Sequence, residues 1–235
     1  METVDPWGWQ WLAEQGLNLT AVLDTTTLPE TMQQTLQQHK IKPTRYKRLV
    51  LMGNGGGTFW DTLQKQGRET HHLFDDFSIR LAEQWAERFL KTPFIRLYPH
   101  TDILIPLQQL GDLAQWCHPS PLGSSVSPRF GPWFAYRVAL VTTADLPLKK
   151  EHSQPSPCDT CSAKPCMSAC PVQAVQGIGR FQIKPCLTQR LTDGSTCEDR
   201  CLSRLACPVA PEHRYSMAQI RHHYTFGRAF LKRYL

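Results

Sequence analysis

Eight of the chain's nine cysteines fall between Cys158 and Cys207. A segment that gathers thiols this densely must either cross-link itself or wrap around metal. The first group reads Cys158-x2-Cys161-x4-Cys166-x3-Cys170-Pro171, and the second reads Cys186, Cys197-x3-Cys201-x5-Cys207-Pro208. The choice between cross-links and metal turns on compartment. The start, Met1-Glu-Thr-Val-Asp-Pro-Trp7, has neither a basic nor an apolar leader region. No run approaches the roughly 18 apolar residues of a membrane span. A cytoplasmic location with no membrane partner is therefore expected. Thiols stay reduced there, so metal ligation is the better reading than disulfides.

The spacing narrows the metal. Cys-x2-Cys on a tight loop supplies two neighbouring ligands, and in ferredoxins with two clusters the cysteine before a proline crosses to the other cluster. By that rule Cys158, Cys161, Cys166 and Cys207 hold one [4Fe–4S] cluster. Cys170, Cys186, Cys197 and Cys201 hold the second. Two structural zinc sites would also use eight thiolates. The unequal spacings and the two Cys-Pro endings favour iron and sulfide.

Upstream of Cys158 only Cys117 remains, and it reads as a buried thiol. Apolar residues make up 41% of the chain, enough for a real core, and the net charge of +6 suits a solvated basic surface. Leu49 to Met52 reads as a strand running into a Gly53-Asn-Gly-Gly-Gly57 loop, with a helix opening at Thr58. Leu81, Trp85 and Phe89 recur every four residues and predict a helix over 78–91. Tyr136 to Thr143 is rich in β-branched residues and predicts a buried strand. A proline-rich linker is expected at 149–157, and a helix over 216–235.

Around the cysteines the sequence resembles the iron–sulfur module of the epoxyqueuosine reductases, including the Thr143-Ala-Asp-Leu-Pro-Leu148 run before the first cysteine. Ser127-Pro-Arg-Phe-Gly-Pro-Trp-Phe-Ala-Tyr-Arg137 is similar to a segment of the cobalamin-processing (B12 trafficking) chaperones. Val209-Ala-Pro-Glu-His-Arg-Tyr-Ser216 is similar to their tail. His118-Pro-Ser-Pro-Leu-Gly123 is similar to a motif of bacterial 4Fe–4S dicluster proteins. These resemblances imply an α+β fold: a nitroreductase-like domain over 1–148, a dicluster ferredoxin-like module over 149–212 and a C-terminal helix over 213–235. They also imply a corrinoid, contacted by Arg129, Trp133 and Arg137. The reductases carry an aspartate in a V-D-T-A-P motif, but its position falls on Leu104 here, with Asp102 two residues away. Their tRNA-gripping helical repeats have no counterpart in this sequence.

The expected function is that of a two-cluster redox protein that binds and reduces cobalamin, an oxidoreductase with no catalytic residue assigned. The expected partner is a redox donor such as a ferredoxin, a flavodoxin or a reductase. Nucleic acid is not expected. One alternative is a ferredoxin-like electron carrier without a corrinoid site, and another is an oxidoreductase like the epoxyqueuosine reductases. His118 reads as structural, while His213, His222, His223, Arg214, Arg221 and Arg228 read as a solvated basic face.

Overall fold

The computed structural model describes residues 5–67 and 72–232. The chain forms two compact units. The first comprises residues 1–116 and 134–153, and the second residues 117–133 and 154–235.

The first unit opens with helix α1 (Trp9–Glu14), strand β1 (Leu19–Asp24) and helix α2 (Glu30–Gln38). Strand β2 (Arg48–Gly55), helix α3 (Thr58–Lys65) and helix α4 (Leu73–Trp85) follow. Strand β3 (Phe94–Tyr98) and helix α5 (Leu107–Leu113) complete its first stretch. The chain then leaves this unit through two-residue strands β4 (His118–Pro119) and β5 (Ser125–Val126), and re-enters it as β6 (Phe134–Thr142). The sheet order is β1-β2-β6-β3, antiparallel at every pair. An antiparallel sheet packed with helices is the α+β class expected from the sequence.

The two central strands explain their own composition. Val50 and Met52 of β2, with Val138 and Leu140 of β6, join Leu12, Val22, Phe59, Phe77, Leu81 and Trp85 in one core. The alternate residues Leu49, Leu51, Ala139 and Val141 are buried as well. A strand covered on both faces reads as an unbroken apolar run. Each such aliphatic side chain, fully buried, contributes about 1.5–3 kcal/mol.

Three details depart from the sequence expectations. Strand β2 runs on through the glycines to Gly55, with a bulge at Met52/Gly53, and only Gly56 turns. A Cβ on Gly53 would lie 2.7 Å from the Ala135 carbonyl and 2.9 Å from the Trp116 ring, so only glycine lets β6 approach there. The expected helix over 78–91 begins earlier, at Leu73, and its last turn, Ala86–Leu90, widens so that Lys91 N–H reaches the Ala86 carbonyl. The start of the expected linker is tied down: Lys149 pairs with Val22, and Glu151 N–H donates to the Ala114 carbonyl.

The second unit is built from short turns of helix. Helices α6 (Pro157–Thr160) and α7 (Pro165–Ser168) both start on proline, whose missing N–H costs nothing at a first turn. Ser156 Oγ caps α6 by accepting from Cys158 N–H. Helices α8 (Ile183–Leu191) and α9 (Leu202–Leu205) follow, then a 3₁₀ turn over Pro211–His213 and helix α10 (Met217–Leu231). The expected helix over 216–235 is α10 as far as Leu231; residues 233–235 lie outside the described residues. No helix among the described residues is long and apolar enough to cross a membrane.

Candidate metal centre

The excursion at 117–133 and the segment after Cys207 pack together within the second unit. Gly131 exchanges two backbone hydrogen bonds with Ser127 and turns at φ 58°. A Cβ there would come within 2.2 Å of the Val209 carbonyl. Phe130 lies 4.7 Å from the His213 ring, and Trp133 lies edge-on to Tyr215 at 5.5 Å. Arg204 sits over both Trp133 and Tyr215 and donates to the Pro132 carbonyl. Thus the two stretches that resemble the cobalamin-processing chaperones, 127–137 and 209–216, meet around Gly131 and Trp133. These contacts pack the segment that follows Cys207.

The cysteines sort into two neighbourhoods. Burial pushes the Cys158 thiol up, and negative charge on Cys207, Cys166 and Cys161 adds to it. Cys166 is raised by burial, then by Cys207 and Cys161. Cys207 is raised by burial and by Cys161, against a Val209 N–H and Arg214 that favour its thiolate. In the other neighbourhood burial pushes Cys186 up to about 11, with Cys201, Cys170 and Cys197 adding and Arg190 opposing. Cys197 is raised by burial and feels both Cys201 and Cys170. Cys170 is penalised by burial as well, yet N–H groups of Val172, Ala174 and Val175 and the Ser203 hydroxyl outweigh that and lower it. Burial and mutual repulsion thus favour the protonated thiol at Cys158, Cys166, Cys186, Cys197 and Cys207, and a cation placed among them would reverse that preference.

Several groups around the second quartet carried no sequence signal. Cys201 Sγ accepts from Arg204 N–H at 3.4 Å, and Cys170 Sγ from Ala174 N–H at 3.2 Å. The Tyr224 hydroxyl pKa is raised by burial and then by Cys201, and Arg190 lies 4.0 Å above its ring. The i, i+3 and i, i+4 spacing of Ile220, His223 and Tyr224 was the one available hint, since it puts them on one face of α10. The expected basic face is not a free one. Arg228 grips Asp193, Glu198 and the Leu191 carbonyl, while Arg221 pairs with Asp199 at 2.9 Å.

The three expected corrinoid contacts fare differently. Arg129 is exposed and lies over its neighbour Phe130. Trp133 is 0% exposed, enclosed by Tyr215, Ile220 and Arg204, so its side chain presents no face. Arg137 is 7% exposed in the first unit, bonded to Asn54 Oδ1 at 2.6 Å and lying over the Phe59 and Phe74 rings. Aromatic residues around an arginine look the same in sequence whether they hold a ligand or each other. Leu104 is 87% exposed, and Cys117 is buried.

No protein-family model matches the chain, and no curated protein matches it in sequence. Solved structures share the fold. Epoxyqueuosine reductase from Bacillus subtilis, captured with its catalytic aspartate loop swung out of the active site, aligns over 88% of this chain with a TM-score of 0.55 at 11% identity. A structure of epoxyqueuosine reductase with a tRNA stem loop aligns over 90% of this chain with a TM-score of 0.53 at 11% identity. This chain spans 65% and 66% of the reductase chain in those two structures. The B12-trafficking protein CblC of C. elegans aligns over 95% of both chains, with a TM-score of 0.51 and 11% identity.

Proposed function

We propose that the second unit holds two [4Fe–4S] clusters and that the protein passes their electrons to a bound corrinoid. The observation that carries this reading is the sorting of eight cysteines into two neighbourhoods, four thiols that act on one another in each. Cys158, Cys161, Cys166 and Cys207 are the ligands of the first, and Cys170, Cys186, Cys197 and Cys201 of the second. A fold shared with epoxyqueuosine reductases and with a B12-trafficking protein supports the pairing of redox chemistry with cobalamin.

When bound, the clusters supply one-electron transfer. The chain's own part is to fix eight thiolates and to donate hydrogen bonds to their sulfurs. Val172, Ala174, Val175 and Arg204 supply N–H groups and Ser203 a hydroxyl around the second quartet. Such donors, with Arg190 and Arg204 nearby, stabilise added negative charge. Electrons come from an external redox donor. Arg129 is the exposed side chain left to contact a corrinoid, while Trp133 and Arg137 act through packing.

The burial of Trp133 and Arg137 favours a second reading, an electron carrier with no corrinoid site. One related fold carries a tRNA stem loop, so the fold itself is compatible with a nucleic-acid partner.

Titration of anaerobically purified protein with hydroxocobalamin separates the readings. Binding should shift the visible spectrum, and Arg129→Ala should weaken it about tenfold, a loss of about 1.4 kcal/mol. Cys158→Ser and Cys186→Ser should leave binding intact and block reduction. An unchanged spectrum with no binding heat would leave the carrier.

A further inference from the structure

A third group of metal-type ligands lies in the first unit and contains no cysteine. Strand β3 ends at Tyr98, and the chain turns through Pro99 and His100 beside the start of α4. His72 immediately precedes that helix and Asp75 lies in its first turn. The i, i+3 spacing puts these two on one helix face. His72, Asp75 and His100 each bring a donor atom to within 4.8 Å of the other two, and no other set of three or more His, Cys, Asp or Glu among the described residues does so.

The distances fit an ion better than they fit direct contact. His100 Nε2 stands 3.5 Å from Asp75 Oδ2. That is longer than an ordinary hydrogen bond of about 2.7–3.2 Å. Two ligands on a tetrahedral ion with bonds of about 2.0–2.2 Å are about 3.4 Å apart. The His72 and His100 rings meet edge to face with centroids 4.9 Å apart. A surface ion pair needs one imidazole and one carboxylate. The second imidazole completes a three-point donor set. His100 also holds its backbone at φ 54°, in the left-handed region that few non-glycine residues occupy.

We propose that His72, Asp75 and His100 bind one divalent first-row transition ion, with water completing its coordination. Two imidazole nitrogens and a carboxylate oxygen suit zinc, iron(II), cobalt(II) or nickel(II), whereas magnesium and calcium prefer oxygen throughout. Three protein ligands, two of them exposed, leave positions open to solvent, the arrangement of reactive rather than closed structural sites. The site owes nothing to the cysteines, so it stands or falls separately from the cluster reading.

Zinc chloride is the probe, added to anaerobically purified full-length protein and followed by calorimetry and by X-ray absorption at the zinc edge. The wild type should take one equivalent with a first shell of nitrogen and oxygen only, at about 2.0 Å, and gain thermal stability. His100→Ala and Asp75→Asn should each weaken that binding at least tenfold and lose the zinc-dependent thermal shift. Iron content and the zinc-free thermal midpoint should stay as in wild type, which shows that both variants fold. Asp75→Asn keeps the side chain's shape and guards against a merely structural effect. Failure of the wild type to bind zinc would overturn the proposal. So would a sulfur shell near 2.3 Å, or zinc binding unchanged in both variants, because the ion would then sit on other ligands.

Discussion

Gly131 is the residue on which the second unit's packing is most exposed to a single atom. Its φ of 58° and the 2.2 Å approach a Cβ would make to the Val209 carbonyl both exclude a side chain. Gly194 has a similar positive φ, 72°, but nothing within 4 Å of its missing Cβ. Gly131→Ala should therefore combine backbone strain with displacement of the segment following Cys207, while Gly194→Ala incurs the strain alone. Denaturant unfolding is expected to give a loss of about 1 kcal/mol for Gly194→Ala and at least 2 kcal/mol more for Gly131→Ala. Equal losses would mean that the Gly131–Val209 contact is not what restricts the site. The same scale explains what the residues disclosed and what they concealed. Cysteine spacing is what raises the expectation of ligation, because few other tasks need eight thiols at such intervals. Trp133 and Arg137 gave no comparable signal, because a tryptophan beside an arginine suits a ligand face and a packed interior equally well. His72 and Asp75 share a helical spacing, but His100 reaches them only through the path of β3, which no local pattern reveals.

At the level of elements, the ladder of β2 and β6 was legible because strands buried on both faces leave continuous apolar runs. The excursion at 117–133 was not legible. A chain that leaves one unit, contributes a turn to another and returns has no periodicity of its own. Two consequences belong to this scale. The helical turns α6 and α7 carry Cys158 and Cys166, whereas Cys207 arrives from beyond α9. Cys158→Ser and Cys207→Ser should therefore abolish the same EPR signal of the reduced protein, while Cys170→Ser and Cys186→Ser remove the other. Separate effects of Cys158→Ser and Cys207→Ser would break the crossed assignment. Helix α10 has a second role through Arg228, which ties Asp193, Glu198 and the Leu191 carbonyl around the loop leading to Cys197. Arg228→Ala removes the guanidinium from Asp193 and Glu198, leaving Glu198 only its hydrogen bond from Gly194 N–H in that loop. Air exposure should then destroy the signal of the second quartet several-fold faster than in wild type, with the first unaffected, in a time course of EPR intensity. Parallel decay of both signals would show that α10 stabilises the unit generally.

The whole molecule joins an α+β unit with a doubly covered antiparallel sheet to a unit of short helical turns that carries eight cysteines between Cys158 and Cys207. In the second unit Trp133, Tyr215 and Ile220 form one buried cluster, and Val126, Phe130, Ala174 and Val175 are buried as well. The proposed function rests on what the two cysteine quartets hold. Iron, zinc and acid-labile sulfide, determined together on anaerobically purified protein, test it most directly. Two four-iron clusters predict about eight iron and eight sulfide per chain. Two equivalents of zinc with no sulfide would overturn the assignment of iron–sulfur clusters to the eight cysteines.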